Sequence, residues 1–87
     1  MFDYRQFEAY INNVLSLLGE RLPESRKDDI SSLADVGEWK LALELLCANL
    51  YEDEIPISSD IYTLIAEAGR MLNADDDLWI TLSSQIK

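Results

Sequence analysis

The chain has 87 residues, with 17 acidic side chains, seven basic ones and no histidine, and its formal net charge at pH 7 is −10. This length accommodates one domain, and a hydrophobic share of 48% can form a core, which excludes a disordered acidic tail. A field of this sign repels nucleic acid and anionic membrane and attracts basic proteins. We therefore expect a single domain over residues 1–87 whose partner is a protein, not nucleic acid or a membrane.

Two helices are predicted in the first part of the chain. Apolar residues recur at helical spacing over residues 3–18, with Asp3 placed to cap the start and Gly19 to end the helix. Pro23 precedes a second helix over residues 24–35, because proline is tolerated where a helix begins. Gly37 suits the left-handed turn that would end this second helix.

The third predicted helix, over residues 38–51, is the most apolar. It leaves only a narrow stripe of Lys40, Glu44 and Ala48 that can face water. A helix that is apolar nearly all round is usually a central one, so we expect the other helices to pack against it.

Two further helices complete the predicted fold. Pro56 indicates a loop, after which Ser58 or Ser59 caps a fourth helix over residues 60–72. Gly69 inside that helix costs about 1 kcal/mol relative to alanine and suggests a close helix crossing. A last helix covers residues 75–85 and turns Trp79 inward. The sequence therefore predicts an all-α fold, a single compact bundle of four to five short helices with a central apolar helix at about 38–51.

The residue types that carry most enzyme chemistry are missing. Without histidine the chain lacks the commonest general base and metal ligand. Cys47 lies among leucines, where we expect a buried and unreactive thiol. The run from Asp75 fails as an EF-hand loop, since Ile80 and Ile86 stand where glycine and glutamate are needed. We expect no catalytic residue, no metal site and no cofactor.

The compartment follows from what the sequence lacks. It has no run of 18 apolar residues that could span a membrane and no recognisable signal peptide at its start. A single cysteine cannot form an internal disulfide, which agrees with a reducing compartment. The expected location is the cytoplasm.

The acidic surface is the remaining candidate for function, and two patches stand out. In the first, an aromatic residue lies among charges, an arrangement typical of protein interfaces; its members are Tyr51, Glu52, Asp53, Glu54 and Asp60. Tyr51 can equally close the edge of the core, so its role stays open. The alternative patch lies near the turn between the second and third helices and contains Asp28, Asp29, Asp35 and Glu38.

The central stretch also resembles a known family. Ile30-Ser31-Ser32-Leu33-Ala34-Asp35-Val36-Gly37-Glu38-Trp39-Lys40-Leu41-Ala42-Leu43-Glu44-Leu45-Leu46-Cys47 is similar to the MafI-like immunity proteins. The core of the likeness is Gly37-Glu38-Trp39 followed by the leucine-rich helix, and it extends over roughly residues 30–82. These small cytoplasmic proteins are partners of polymorphic toxins, including those of Maf and contact-dependent growth inhibition systems in Gram-negative bacteria, and some are associated with EndoU-type RNase toxins.

The resemblance implies an all-helical inhibitor that protects the producing cell from a toxin. We therefore expect an immunity protein that occludes a cognate basic toxin, with an EndoU-type RNase as the favoured target. Binding would be stoichiometric and 1:1, and the sequence leaves the oligomeric state open. The alternative is a non-catalytic acidic adaptor or oligomerisation module whose charge serves solubility.

Overall fold

The computed structural model describes residues 2–87, and within them the chain forms five α-helices. Helices α1 to α5 span Tyr4–Leu18, Glu24–Asp35, Trp39–Glu52, Ser59–Met71 and Asp77–Ile80. Short 3-10 segments, Gly19–Arg21 and Thr81–Gln85, follow α1 and α5. The predicted all-α bundle of four to five short helices is confirmed.

Side-chain caps fix the starts of two helices as predicted. Asp3 Oδ1 accepts hydrogen bonds from the backbone N–H groups of Arg5 and Gln6, at 3.1 and 3.2 Å. Ser58 Oγ accepts from the N–H of Ile61 at 3.2 Å, so Ser58 is the cap and α4 begins at the next residue. Each bond satisfies a donor that a helix start would otherwise leave unpaired.

The expectation that the other helices pack against α3 is met by three of the four and not by α1. Helix α3 packs against α2 and also contacts α4, α5 and the 3-10 segment Thr81–Gln85, while α1 packs mainly on α4. The solvent-facing stripe of α3 differs from the predicted one. Leu41, expected inside, is 50% exposed, and Glu44, expected to face water, is partly buried. The helices packed on α3 leave the side that carries Leu41 uncovered.

The last predicted helix is shorter than residues 75–85. It begins at Asp77, and the chain tightens into a 3-10 segment from Thr81. This change lets the following residues reach the loop between α3 and α4. There the Ile57 N–H donates to Gln85 O at 3.0 Å and the Lys87 N–H donates to Ile57 O at 2.9 Å, forming an isolated parallel bridge between Ile57 and Ile86.

The crossing of α4 and α5 depends on Gly69. A Cβ placed on this glycine would lie 2.0 Å from Cζ3 of Trp79, whose side chain is buried. The indole ring therefore lies directly on the α4 backbone. This confirms the close crossing that a glycine inside a helix predicts, and it confirms Trp79 as a core residue.

Replacing Gly69 with alanine should destabilise the protein. Overpacking costs about 1–3 kcal/mol, and here the clash is with a rigid buried ring, so the cost should exceed the gain of about 1 kcal/mol in helix propensity. Urea unfolding followed by circular dichroism measures the net loss. Combining Gly69→Ala with Trp79→Leu should be less damaging than the sum of the two single changes. A Gly69→Ala variant as stable as the parent would contradict this packing.

Candidate functional site

The acidic side chains lie almost entirely on the surface. Of the 17, only Glu8 and Glu44 are partly buried and the other 15 are exposed. Three ion pairs occur within residues 2–87, between Arg26 and Asp53, Lys27 and Glu24, and Arg70 and Glu67, at 3.6–3.9 Å. Most carboxylates are therefore left without a positive neighbour, and the surface keeps its negative field.

Three residues of the first predicted patch, Tyr51, Glu52 and Glu54, line one groove. It has a volume of about 470 Å³ and lies where the end of α3 meets the 3-10 segment after α5. Tyr51 on its wall is 55% exposed, so it does not close the core. The residues that line the groove are Tyr51, Glu52, Glu54, Pro56, Ser84, Gln85 and Lys87. We call this feature the Tyr51 groove.

A Schellman turn at the end of α3 places Glu54 on the groove. The Ile55 N–H donates to Leu50 O at 3.0 Å and the Glu54 N–H donates to Tyr51 O at 3.2 Å, which is the hydrogen-bond pattern of that motif. The motif requires a left-handed residue, and Glu54 has φ = +50°. Glycine adopts this conformation without cost, whereas a residue with a Cβ pays about 1–2 kcal/mol.

The same turn ends two other helices with residues better suited to it. At the end of α2 the left-handed position is Gly37, and at the end of α4 it is Asn73. Glycine and asparagine are the usual residues there. Glutamate is the exception, and it is the one that lines the groove.

The helix dipole adds a second cost at this position. The carboxyl end of a helix carries partial negative charge and favours cations, yet α3 has no basic residue in its last turn. Glu52, Asp53 and Glu54 follow one another there instead. The helix dipole therefore disfavours all three carboxylates, and at Glu54 the left-handed backbone adds to that cost.

Gln85 holds the groove wall in place through hydrogen bonds to the end of α3. Its buried side-chain Nε2 donates to Leu50 O at 2.8 Å and to Ile55 O at 2.9 Å. These carbonyls flank the turn that carries Glu54, so one side chain ties the 3-10 segment to the end of α3. The sequence analysis missed Ser84, Gln85 and Lys87 as groove residues, because no local pattern shows that they reach α3.

The structure places Asp53 and Asp60 outside the groove lining. Asp53 pairs with Arg26 at 3.9 Å, and Arg26 also donates to Oδ1 of the buried Asn49. Asp60 borders a separate depression lined by Asn13, Leu17, Thr63 and Leu64. The first predicted patch is therefore divided between a groove, an ion pair and a second depression.

The alternative patch is exposed around the turn between α2 and α3. Asp28, Asp29, Asp35 and Glu38 all face solvent. Asp29 borders a shallow depression together with Ser32, Leu33, Val36 and Leu45. One member of this patch thus lies beside apolar side chains, of which Val36 is exposed.

The aromatic residue Trp39 is only partly buried. It packs on the core, with Phe2 at 4.7 Å and Tyr4 at 6.1 Å between ring centroids. Its indole Nε1 has no hydrogen-bond partner among the described residues. Trp39 therefore closes the bundle near the start of α1 and lies outside the Tyr51 groove.

Cys47 is buried, as expected, and burial raises the pKa of its thiol to about 12, with the Glu44 carboxylate adding to the effect. At neutral pH the thiol is protonated and is a poor nucleophile. Within residues 2–87 no group of three or more cysteine, aspartate or glutamate side chains has the arrangement of a metal site.

In the part of the chain that the structure describes, no helix has the length and apolar character needed to span a bilayer. Comparisons with family models, with curated proteins and with solved structures found no match to this chain.

The raised pKa of Cys47 predicts a loss of stability in alkali. The unfolded thiol titrates near pH 8.5, whereas the native thiol keeps its proton to about pH 12. Between these values the unfolded state binds fewer protons, so the free energy of unfolding should fall by about 1.4 kcal/mol per pH unit from this residue. Urea unfolding at several pH values above 9 measures the slope. A Cys47→Ala variant should lose that component, and equal slopes in the two proteins would contradict it.

Replacing Glu54 with glycine should stabilise the free protein. Relief of the left-handed strain, less the greater flexibility of glycine in the unfolded chain, predicts a gain of about 0.5–1 kcal/mol. Asn73→Gly is the matched control at the equivalent turn of α4, and its gain should be smaller because asparagine tolerates this conformation. Urea unfolding compares the two. A loss of stability in Glu54→Gly would show that the carboxylate supports the fold.

Proposed function

We propose that this protein is an immunity protein of the MafI-like kind, which binds and neutralises a basic toxin domain in the cytoplasm of the producing cell. The favoured target is an EndoU-type RNase. The observation that supports this most strongly is the Tyr51 groove, where a half-exposed tyrosine lies beside Glu52 and Glu54 at a helix end whose left-handed turn strains Glu54. Strain of this kind clusters at functional sites.

The mechanism is occlusion and not chemistry. A nuclease holds the phosphates of its substrate with basic side chains. Glu52 and Glu54 would lie where the nucleic acid backbone otherwise binds, so one immunity protein blocks one toxin. The net charge of −10 attracts such a surface from a distance and raises association above the ~10⁵–10⁶ M⁻¹s⁻¹ of an unsteered pair.

Tight binding needs more than exposed charge. An ion pair at the surface contributes about 0–1 kcal/mol, and most interfaces depend on a few buried anchors. Tyr51 fits that role because it presents a large amphipathic ring that the free protein leaves 55% exposed. Once the ring is covered by the toxin, the neighbouring carboxylates become partly desolvated and their bonds to basic side chains strengthen.

The residues of the first patch differ in whether they line the groove. Tyr51, Glu52 and Glu54 share it, and no ion pair engages these two glutamates within residues 2–87. Asp53 already pairs with Arg26, and Asp60 borders another depression. In the proposed complex Asp53 and Asp60 therefore lie at the margin of the contact.

Reversing two charges in the groove should weaken toxin binding. The partner to test is the product of the neighbouring upstream reading frame, where the proposal places a toxin domain, and titration calorimetry gives the Kd. Each charged hydrogen bond contributes about 1.5–3 kcal/mol, so Glu52→Lys with Glu54→Lys should raise the Kd by at least about tenfold. The same variant should fail to inhibit RNA cleavage by that domain, and Glu54→Gly should bind more weakly while being more stable.

The matched control carries the same change in net charge on the alternative patch, as Asp28→Lys with Asp35→Lys. If this control loses as much affinity as the groove variant, the toxin either contacts the alternative patch or responds only to the general field, and in both cases the groove assignment is wrong. No binding of the parent protein to the upstream domain would count against immunity itself. Raising salt should slow association of the parent, and a salt-independent rate would reject steering alone.

A further inference from the structure

A depression between α2 and α3 has a largely apolar lining. It has a volume of about 440 Å³, and its lining contains Leu33, Val36 and Leu45 together with Asp29 and Ser32. Val36 is 74% exposed, more than the other large exposed hydrophobic side chains of the described chain. An apolar side chain left this open contributes little to the core.

Leu41 extends this surface along α3. It lies four residues before Leu45, so the two side chains share one face of the helix, and Leu41 is itself 50% exposed. Leu33 and Leu45 are partly buried and pack on the core. The floor of the depression is therefore held in place by the bundle, while Val36 and Leu41 project at its border.

Carboxylates lie on the elements that carry these apolar side chains. Asp29 borders the depression, and Asp28, Asp35 and Glu38 are exposed on the same two helices or the turn between them. Helices α2 and α3 contain three basic residues. Arg26 and Lys27 form ion pairs, and Lys40 is the one that forms none within residues 2–87. An apolar strip with an acidic border complements a segment that is apolar on one side and basic on the other.

The charge also decides against a second copy of this chain as the occupant. Two copies would bring two acidic borders together, each belonging to a chain of net charge −10, and like charges facing each other across an interface oppose association. Anionic membrane is disfavoured for the same reason.

We infer that the α2–α3 depression docks an amphipathic, basic helix of a partner protein, by the helix-in-groove mode. Helix α3 has 14 residues and is about 21 Å long, so an occupant of about four turns would cover the strip. Its apolar side chains would cover Leu33, Val36, Leu41 and Leu45, and its basic ones would lie along Asp29 and the neighbouring carboxylates. This surface does not depend on the Tyr51 groove or on immunity.

A designed peptide tests the inference on the purified protein. The probe is a leucine–lysine peptide of about 18 residues, five helical turns, with its leucines on one face. An isomer of the same composition with evenly scattered leucines is the control. We expect the amphipathic peptide to bind about tenfold more tightly than the isomer. On binding, the amide chemical-shift changes of the protein should cluster at residues 29–45. Equal affinity of the two isomers, or shifts clustered elsewhere, would overturn the proposal.

A pair of leucine variants distinguishes binding at the depression from nonspecific hydrophobic binding. Leu41→Gln should raise the Kd for the amphipathic peptide about tenfold. Leu17→Gln is the matched control, because Leu17 lies on α1 and is 47% exposed; its Kd should stay within about twofold. Equal effects would overturn the assignment. So would a concentration-dependent dimer of the unliganded protein that Leu41→Gln dissociates, since the occupant would then be a second copy.

Discussion

The hydrogen bonds of Gln85 join the two walls of the Tyr51 groove. Its buried Nε2 donates to the carbonyls of Leu50 and Ile55, which belong to the last turn of α3 and the residue after its Schellman turn. Leu50 O also accepts from the Ile55 N–H, whereas Ile55 O has Gln85 as its donor. A buried carbonyl without a partner costs about 1–3 kcal/mol, so Gln85 is needed to satisfy Ile55 O while the two segments stay packed. The bridge between Ile57 and Ile86 is a second connection between the same parts of the chain, and together these contacts hold the two walls of the Tyr51 groove.

Glu54 occupies a position at that groove where stability alone would favour glycine. The three Schellman turns within residues 2–87 present glycine, asparagine and glutamate at the same left-handed position, and only the glutamate has an ordinary side chain that the backbone disfavours. A helix end built for stability would carry glycine, as α2 does at Gly37. The position is instead occupied by a carboxylate that lines a groove, next to Glu52 and Tyr51. A requirement for charge at this point explains the choice better than any contact within the fold.

The sequence predicted the features that depend on local pattern. Helical periodicity located four helices closely, Asp3 and Ser58 cap two of them, and the isolated Gly69 marked the place where Trp79 packs. It failed where distant segments meet. Nothing in residues 84–87 signals that they reach the end of α3, so the groove was found only in the structure. Leu41 was expected inside because apolar periodicity gives a helix an inner face without showing how far its neighbours cover it.

The cost of the acidic helix end bears directly on the proposed complex. Carboxylates in the last turn of α3 oppose its dipole by about 0.3–1 kcal/mol each, and the chain as a whole repels itself because its net charge is −10. A basic partner removes both penalties when it binds, since its cations neutralise the charges that the free protein leaves unpaired. Part of the binding energy is thus already present as destabilisation of the free protein. The penalty is also local, because Glu52 and Glu54 line one groove, so it favours partners that place their cations there over those that are merely basic.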